Sequence, residues 1–154
     1  MNVSNHGPYV FVRRPSLNSK SQLWYNPVDA ASAWALFINA SVQYKDHLFN
    51  STTFRYDLVD LTRQNLQLAF DSVYTKLIVA FNDKNIEQFN SISKEIIQVL
   101  DDLETLLASD EHFRVGRWIE AARALANSGD KKRYNEYQAR NQITIWGPNG
   151  NVRY

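Results

Sequence analysis

Hydrophobic residues recur every three or four positions along most of this 154-residue chain after residue 26. This spacing places apolar side chains on one face of an α-helix. It predicts five helices, over about residues 27–40, 52–81, 86–108, 110–126 and 130–142. No stretch alternates between apolar and polar residues for long enough to predict a strand.

Helix-start and helix-stop signals support these limits. Asn26 and Pro27 form a strong start, with asparagine as the N-cap and proline at the first helical position. Short polar segments separate the later helices, at residues 82–85, 109–111 and 127–129. Residues 1–25 lack helical periodicity and are predicted to be an extended lead-in. Long helices with short connections indicate an all-α fold, an antiparallel bundle of about five helices in a domain of residues 26–154.

The apolar faces also predict the core. In the first two helices they carry Ala30, Trp34, Phe37 and Ile38, then Phe54, Leu58, Leu61, Ala69, Val73, Leu77 and Phe81. In the third and fourth they carry Phe89, Ile92, Ile96, Val99, Leu103, Leu106 and Leu107, then Phe113, Trp118, Ile119 and Ala122. We expect Trp34 and Trp118 to be core residues, because both lie on these faces.

Composition permits one domain with a substantial core. Hydrophobic residues make up 44% of the chain and aromatic residues 13%. The net charge of +1 gives no general attraction to nucleic acid or membranes. Charge is uneven, because residues 46–111 carry five basic and twelve acidic groups and both flanking stretches are net basic. This distribution indicates an ordinary solvated helix surface, or alternatively mutual attraction between the ends and the middle within the fold, or ends that face something anionic.

Several kinds of chemistry lack the residues they need. The chain has no cysteine, which excludes a disulfide framework and a thiol nucleophile. The three histidines, His6, His47 and His112, are too scattered for a local metal motif, and we expect neither a metal nor a cofactor. No apolar run follows Met1, so the sequence predicts no signal peptide and no membrane span.

Three segments have unusual sequences. Arg13–Leu17 leads to Trp24–Pro27, Tyr56–Gln64 lies in the long second helix, and the last helix runs into Trp146–Gly150. In this order and at this spacing, they resemble the C-terminal helical region of glycoside hydrolase family 89, the α-N-acetylglucosaminidases. The resemblance covers about His6 to Tyr154. It implies an accessory, structural domain of an enzyme that hydrolyses terminal α-linked N-acetylglucosamine with net retention.

The resemblance also places the catalytic residues outside this chain. In the family they are glutamates on an upstream (β/α)8 barrel, which this sequence does not match. The pair Asp57 and Asp60 fits an ion-paired helix surface, and Asp110 with Glu111 fits a helix N-terminus. We therefore assign no catalytic residue and expect the isolated chain to be inactive. The expected partner is the upstream barrel of the same polypeptide, and glycan substrate is expected only in the intact enzyme.

Three side chains are candidates for a wall of the sugar site in the intact parent. Indole rings stack on the flat C–H faces of sugars, and Trp146 and Trp24 both lie at helix–loop junctions. His6 precedes the segment that the resemblance places beside the cleft of the barrel. The alternatives are a purely structural anchor for each tryptophan and a disordered terminus for His6.

The resemblance has consequences for the ends of the chain and for its location. The domain is expected to stop before its last helices, and the parent is expected to be exported, to a lysosome, the periplasm or the exterior. A face that lacks its neighbouring domain would expose apolar surface and allow self-association.

The alternative function is a free-standing helical module that uses its basic ends to hold an anionic partner, such as nucleic acid or a sulfated glycan. Lys and Arg form no continuous stripe and the pI is about 8.0, so we expect neither nucleic acid nor membrane as a partner.

Overall fold

The computed structural model describes residues 10–12, 16–18, 20–21 and 23–144. Within these ranges the chain forms helices and no strand, which confirms the all-α class. The α-helices are α1 (Pro27–Gln43), α2 (Lys45–Leu48), α3 (Thr52–Asn82), α4 (Ile86–Ala108), α5 (Val115–Ala124) and α6 (Gly129–Thr144). Two short 3₁₀ helices lie at Val10–Val12 and Glu111–Phe113.

Two helix predictions differ from the structure. The short helix α2 was not predicted, because its four residues are too few to show a period. The fourth predicted helix, 110–126, is interrupted: Glu111–Phe113 is a 3₁₀ helix and α5 begins only at Val115. Arg114 between them is extended, with φ −84° and ψ 114°, and extended backbone cannot continue an α-helical hydrogen-bond ladder.

The chain divides into two compact units, Met1–Asp110 and Glu111–Tyr154. In the first unit, the 31-residue helix α3 is central: α1 and α4 both pack against it, and so does the 3₁₀ helix of the lead-in. The second unit contains α5 and α6, which pack against each other. The predicted division into a lead-in of 1–25 and a domain of 26–154 stays a prediction.

Local signals fix the helix ends of the first unit. The Asn26 side chain accepts a hydrogen bond from the Val28 N–H at 3.0 Å, as the N-cap prediction requires. Helix α3 ends in a Schellman turn, in which the N–H of Asn85 bonds to the carbonyl of Ala80 and that of Lys84 to Phe81. Lys84 occupies the left-handed position of this turn, with φ 55°. A residue without a Cβ would fit there at lower cost.

The core of the first unit lies between α3, α4 and the lead-in. Its buried apolar residues are Val10, Val59, Phe70, Val73, Tyr74, Ala80, Ile92 and Leu103. The predicted α4 face is confirmed, since its members are buried or half-buried. The predicted α3 face is wrong at Ala69 and Phe81, which are exposed. Helix α3 is covered from several sides, so its buried residues do not follow one stripe.

The second unit has a small core made by Ile119, Ala126 and Ala139. The prediction that Trp118 is a core residue is wrong, because this side chain is 49% exposed. Its indole N–H nevertheless donates to the carbonyl of Ala139 at 3.2 Å, which fixes the ring against α6. Helix α5 has only ten residues and in this unit packs on one neighbouring helix, so a large ring on it stays partly open to solvent.

Candidate functional site

The structure describes one of the three predicted wall residues. Trp24 lies in the described part of the chain, immediately before α1. His6 and Trp146 lie outside the described residues, as do Arg13 and Arg14. The structure therefore does not test whether the three candidates come together.

Trp24 is an exposed aromatic side chain that one ring contact keeps in place. Its ring packs edge-to-face on that of Tyr25, with centroids 5.3 Å apart and planes at 81°. The Tyr25 hydroxyl in turn accepts a hydrogen bond from the Gln64 side chain of α3 at 3.2 Å. Trp24 itself is 79% exposed, although an indole presents one of the largest apolar areas of any side chain. This geometry suits a ring that another molecule or another domain covers.

A shallow cavity of about 640 Å³ lies beside the start of α1. Its walls come from the lead-in, from α1 and from the middle of α3: Ser21, Leu23, Pro27, Val28, Ala31, Ser32, Ala35, Leu68, Asp71, Ser72 and Thr75. Asp71 supplies the only charge among them, and the rest are apolar or hydroxyl-bearing. The cavity therefore suits an uncharged occupant better than an ionic one.

Asp71 fastens the lead-in to α3. Its side chain is buried, with 7% exposed, and accepts hydrogen bonds from the Val10 N–H at 2.8 Å and from the Ser21 hydroxyl. One turn further along, the Tyr74 hydroxyl donates to the Ser16 carbonyl. Burying a carboxylate is costly unless hydrogen bonds satisfy it, and here the lead-in provides them.

Sequence reasoning missed this attachment, although the sequence carries a signal for it. Asp71 lies among Phe70, Val73 and Tyr74, which are apolar in the sequence and buried in the structure, whereas Ser72 is exposed. An acid within a buried stretch of helix predicts a dedicated donor elsewhere in the chain. The same attachment is supported by apolar contacts, since Phe11 packs edge-to-face on Phe70 with centroids 5.3 Å apart.

Two of the carboxylates considered from the sequence form ion pairs. Asp60 pairs with Arg63 at 2.7 Å, and Glu111 pairs with Arg117 at 3.1 Å. In the described ranges no three His, Asp or Glu side chains converge in a way that would hold a metal ion. None of the helices described here has both the length and the apolar character needed to cross a bilayer.

The second unit contains one linked ion-pair network around Glu136. Arg123 of α5 donates to one carboxylate oxygen at 2.6 Å, and Arg140, one turn further along α6, donates to the other at 2.7 Å. Hydrogen bonds from Arg140 and then Arg123 hold the pKa of Glu136 below its ordinary value. Arg133 likewise pairs with Asp130. Much of the positive charge in this unit is thus balanced within the unit.

The sequence matches a family described as "Alpha-N-acetylglucosaminidase (NAGLU) C-terminal domain" over residues 1–153. The human α-N-acetylglucosaminidase is 36% identical over 151 residues, which are 96% of this chain and 19% of the human protein. The chain thus spans about a fifth of the length of that relative.

Solved structures give the same relationship. A family 89 glycoside hydrolase from Clostridium perfringens, in complex with PUGNAc, matches with a TM-score of 0.81 and 26% identity. That match covers 93% of this chain and 17% of the bacterial one. A variant of the bacterial enzyme in complex with its substrate GlcNAc-α-1,4-galactose matches with a TM-score of 0.80 and 26% identity, over the same shares of the two chains.

Proposed function

Because the chain belongs to the family of C-terminal domains of α-N-acetylglucosaminidases, we propose that it serves as the accessory domain of a retaining glycoside hydrolase. The parent enzyme would remove terminal N-acetylglucosamine that is α-linked to a glycan. This domain would pack on the catalytic barrel, fix its orientation and contribute side chains to the edge of the cleft.

The proposal rests mainly on one observation: almost the whole chain matches one end of a much longer enzyme. The family covers residues 1–153, yet the chain spans about a fifth of the human protein. The remaining four fifths have ample length for a catalytic domain, because a (β/α)8 barrel needs about 250 residues. This proportion supports an accessory role for the chain.

The side chains of the described residues agree with an accessory role. A retaining glycosidase needs two carboxyl groups roughly 5–5.5 Å apart in one cleft. Asp60 and Glu111 instead form ion pairs with Arg63 and Arg117, the first pair half-buried and the second exposed. Asp71 is buried, but it is occupied by the lead-in. We therefore expect the chemistry to come from the preceding domain.

Trp24 is the best-supported contact residue of the three wall candidates. It is held by Tyr25 from one side and is otherwise open, so little conformational entropy is lost when its free face is covered. Trp146 and His6 remain wall candidates on the strength of the family resemblance. Trp146→Ala in the parent should then mainly weaken substrate use.

The alternative function, a module that binds an anionic partner, depends on basic groups at the chain ends. Ion pairs within the second unit weaken this support. Arg117, Arg123, Arg133 and Arg140 each pair with a carboxylate of that unit. A strong anion-binding surface needs basic groups that can displace counterions from the polyanion, and arginines already paired with carboxylates contribute less to that displacement. Binding of this chain to a polyanion should accordingly be weak at physiological ionic strength.

An activity assay on two polypeptides tests the proposal. The 154-residue chain and the longer polypeptide that carries it behind its catalytic domain would each be given an aryl α-N-acetylglucosaminide. We expect only the longer polypeptide to hydrolyse the glycoside. NMR of the released sugar should show that its anomeric configuration is retained. Turnover by the 154-residue chain that is lost on replacing one of its own carboxylates would overturn the proposal.

A further inference from the structure

The outward side of α1 is an exposed surface almost without charge. We call it the α1 outer face and define it by Val28, Ser32, Ala35, Leu36, Asn39 and Val42. These residues are spaced so that they share one side of the helix, and all of them are exposed. The three largest are 67%, 72% and 69% exposed, for Val28, Leu36 and Val42.

Charge distinguishes this helix from the others. Asp29 is the only charged residue among the 17 of α1. Helix α4 carries six charged residues among 23, and α6 carries six among 16. Solvated helix faces normally carry charged side chains, whereas the centre of a protein interface is depleted of them. The opposite side of α1 already packs on α3 through half-buried residues such as Trp34 and Phe37.

The lead-in reaches the molecule at this same face. Ser21 and Leu23 line the cavity of about 640 Å³ together with Val28, Ser32 and Ala35. Ser21 is held there by its hydrogen bond to Asp71. Trp24 lies in the chain between Leu23 and the first residue of α1, and it is the most exposed of the aromatic residues near this face.

In the relatives, the extra length lies mainly before the matched region, since the family is described as a C-terminal domain and the chain spans 19% of the human protein. A domain that precedes this one must join it through the lead-in. We propose that the α1 outer face, with Trp24 and the adjoining cavity, is the docking surface for the domain that precedes it in the same polypeptide. The occupant is an uncharged, largely apolar patch of that domain.

The size of the surface agrees with this role. A 17-residue helix is about 25 Å long, and interfaces between domains of one chain typically bury about 600–1,500 Å². One helix face with an adjoining cavity and an exposed indole is enough for the lower part of that range. The inference rests on the proposed function only for the existence of a preceding domain.

Hydroxyl-radical footprinting of two polypeptides tests the surface directly. In the 154-residue chain, Val28, Leu36, Val42 and Trp24 should all be labelled. In the longer polypeptide their labelling should fall at least fivefold. Ile97 on the charged helix α4 is 59% exposed and is the matched control, with labelling expected to stay within twofold in both polypeptides. Equal labelling of the α1 residues in both would overturn the proposal.

A charge introduced on the face provides a second readout. Leu36→Arg and Ile97→Arg both alter exposed positions, so both variants of the 154-residue chain should unfold at nearly the wild-type temperature. In the longer polypeptide, Leu36→Arg should restore labelling of Val28 and Val42 several-fold, and Ile97→Arg should not. The opposite result is labelling of the α1 outer face that falls as the concentration of the 154-residue chain rises and does not fall when the preceding domain is added. That result would assign the face to a second copy of the chain and overturn the proposal.

These outcomes are separable from those of the activity assay. A longer polypeptide that hydrolyses the glycoside while the α1 residues remain labelled would contradict the docking surface and leave the proposed function intact. A longer polypeptide that protects the α1 residues without hydrolysing the glycoside would contradict the proposed function and leave the docking surface intact.

Discussion

The carboxylate of Asp71, near the middle of α3, accepts a hydrogen bond from the Val10 N–H, 2.8 Å away and 61 residues earlier in the chain. The Ser21 hydroxyl binds the other oxygen of the same carboxylate. One buried side chain thus joins two points of the lead-in to the central helix. Its position sets where the chain enters the helical unit.

Replacing Asp71 by alanine should destabilise the first unit by about 1–3 kcal/mol, because the Val10 N–H would lose its partner in a buried setting. Urea unfolding followed by far-UV circular dichroism would measure the loss. Asp57→Ala changes an exposed carboxylate on the same helix and should stay within about 0.5 kcal/mol of wild type. Equal effects of the two substitutions would argue against a special role of Asp71.

Replacing Lys84 by glycine should stabilise the α3–α4 turn by about 0.5–1 kcal/mol. Lys84 has φ 55°, where a Cβ is unfavourable and glycine is not. Hydrogen exchange of the α3 and α4 amides would detect the gain. Lys84→Ala removes the charge but keeps the Cβ, so it should give no such gain. If alanine stabilises as much as glycine, the backbone explanation fails.

The second unit should lose stability in acid through Glu136. Its folded-state pKa lies below the unfolded value, because Arg140 and Arg123 bond to the ionised form. The stabilisation is therefore fully present above the unfolded pKa, about 4.3, and is lost as the pH falls through the folded pKa. An NMR titration of the Glu136 carboxyl carbon should show the lowered pKa directly.

The matched variants for this titration are Glu136→Gln and Glu120→Gln. Glu136→Gln should remove the acid-dependent loss in this pH range. Glu120 is exposed and contacts Arg123 only at 3.9 Å, and Glu120→Gln keeps both arginine contacts of Glu136, so the titration of Glu136 should match that of the wild type. A Glu136→Gln variant with the wild-type pH profile would contradict the assignment.

Alanine substitution should cost much more stability at Trp34 than at Trp24. Trp34 is half-buried and its indole N–H donates to Thr62 at 3.0 Å, so Trp34→Ala should cost roughly 2–4 kcal/mol of stability. Trp24 is 79% exposed, so Trp24→Ala should cost under about 1 kcal/mol. In the longer enzyme, Trp24→Ala should instead lower kcat/KM or weaken domain docking. If Trp24→Ala lowers the stability but leaves kcat/KM and domain docking unchanged, a contact role for Trp24 is contradicted.

The helices were predictable because their apolar residues follow the helical period. The α4 limits agree at both ends, since Asn85 is a capping residue and the apolar stripe is dense. The α3 face was less predictable, because three partners cover this helix and leave no single polar side. Trp118 shows the same limit, since a helical stripe indicates which residues share a face but not whether a partner covers it.

The attachment of the lead-in was the main feature that periodicity could not reveal. Its contacts join residues about 50–60 positions apart in sequence, Asp71 with Ser21 and Val10. They depend on main-chain groups and a serine hydroxyl, which leave no repeating pattern. The exposed position of Trp24 was predictable in part, because this residue immediately precedes a clear helix start at Asn26.

The hydrogen bonds of Val10, Ser16 and Ser21 also determine how strongly a tethered neighbour is held. Residues fixed on α3 do not contribute to the flexible length that joins the helices to a preceding domain. A shorter flexible tether raises the effective concentration of one domain at the surface of the other, which reaches the millimolar range for short linkers. A contact that would be too weak between separate molecules can therefore be almost fully formed within one polypeptide. Loss of the Asp71 attachment would then loosen the two domains even where the α1 outer face itself stays unchanged.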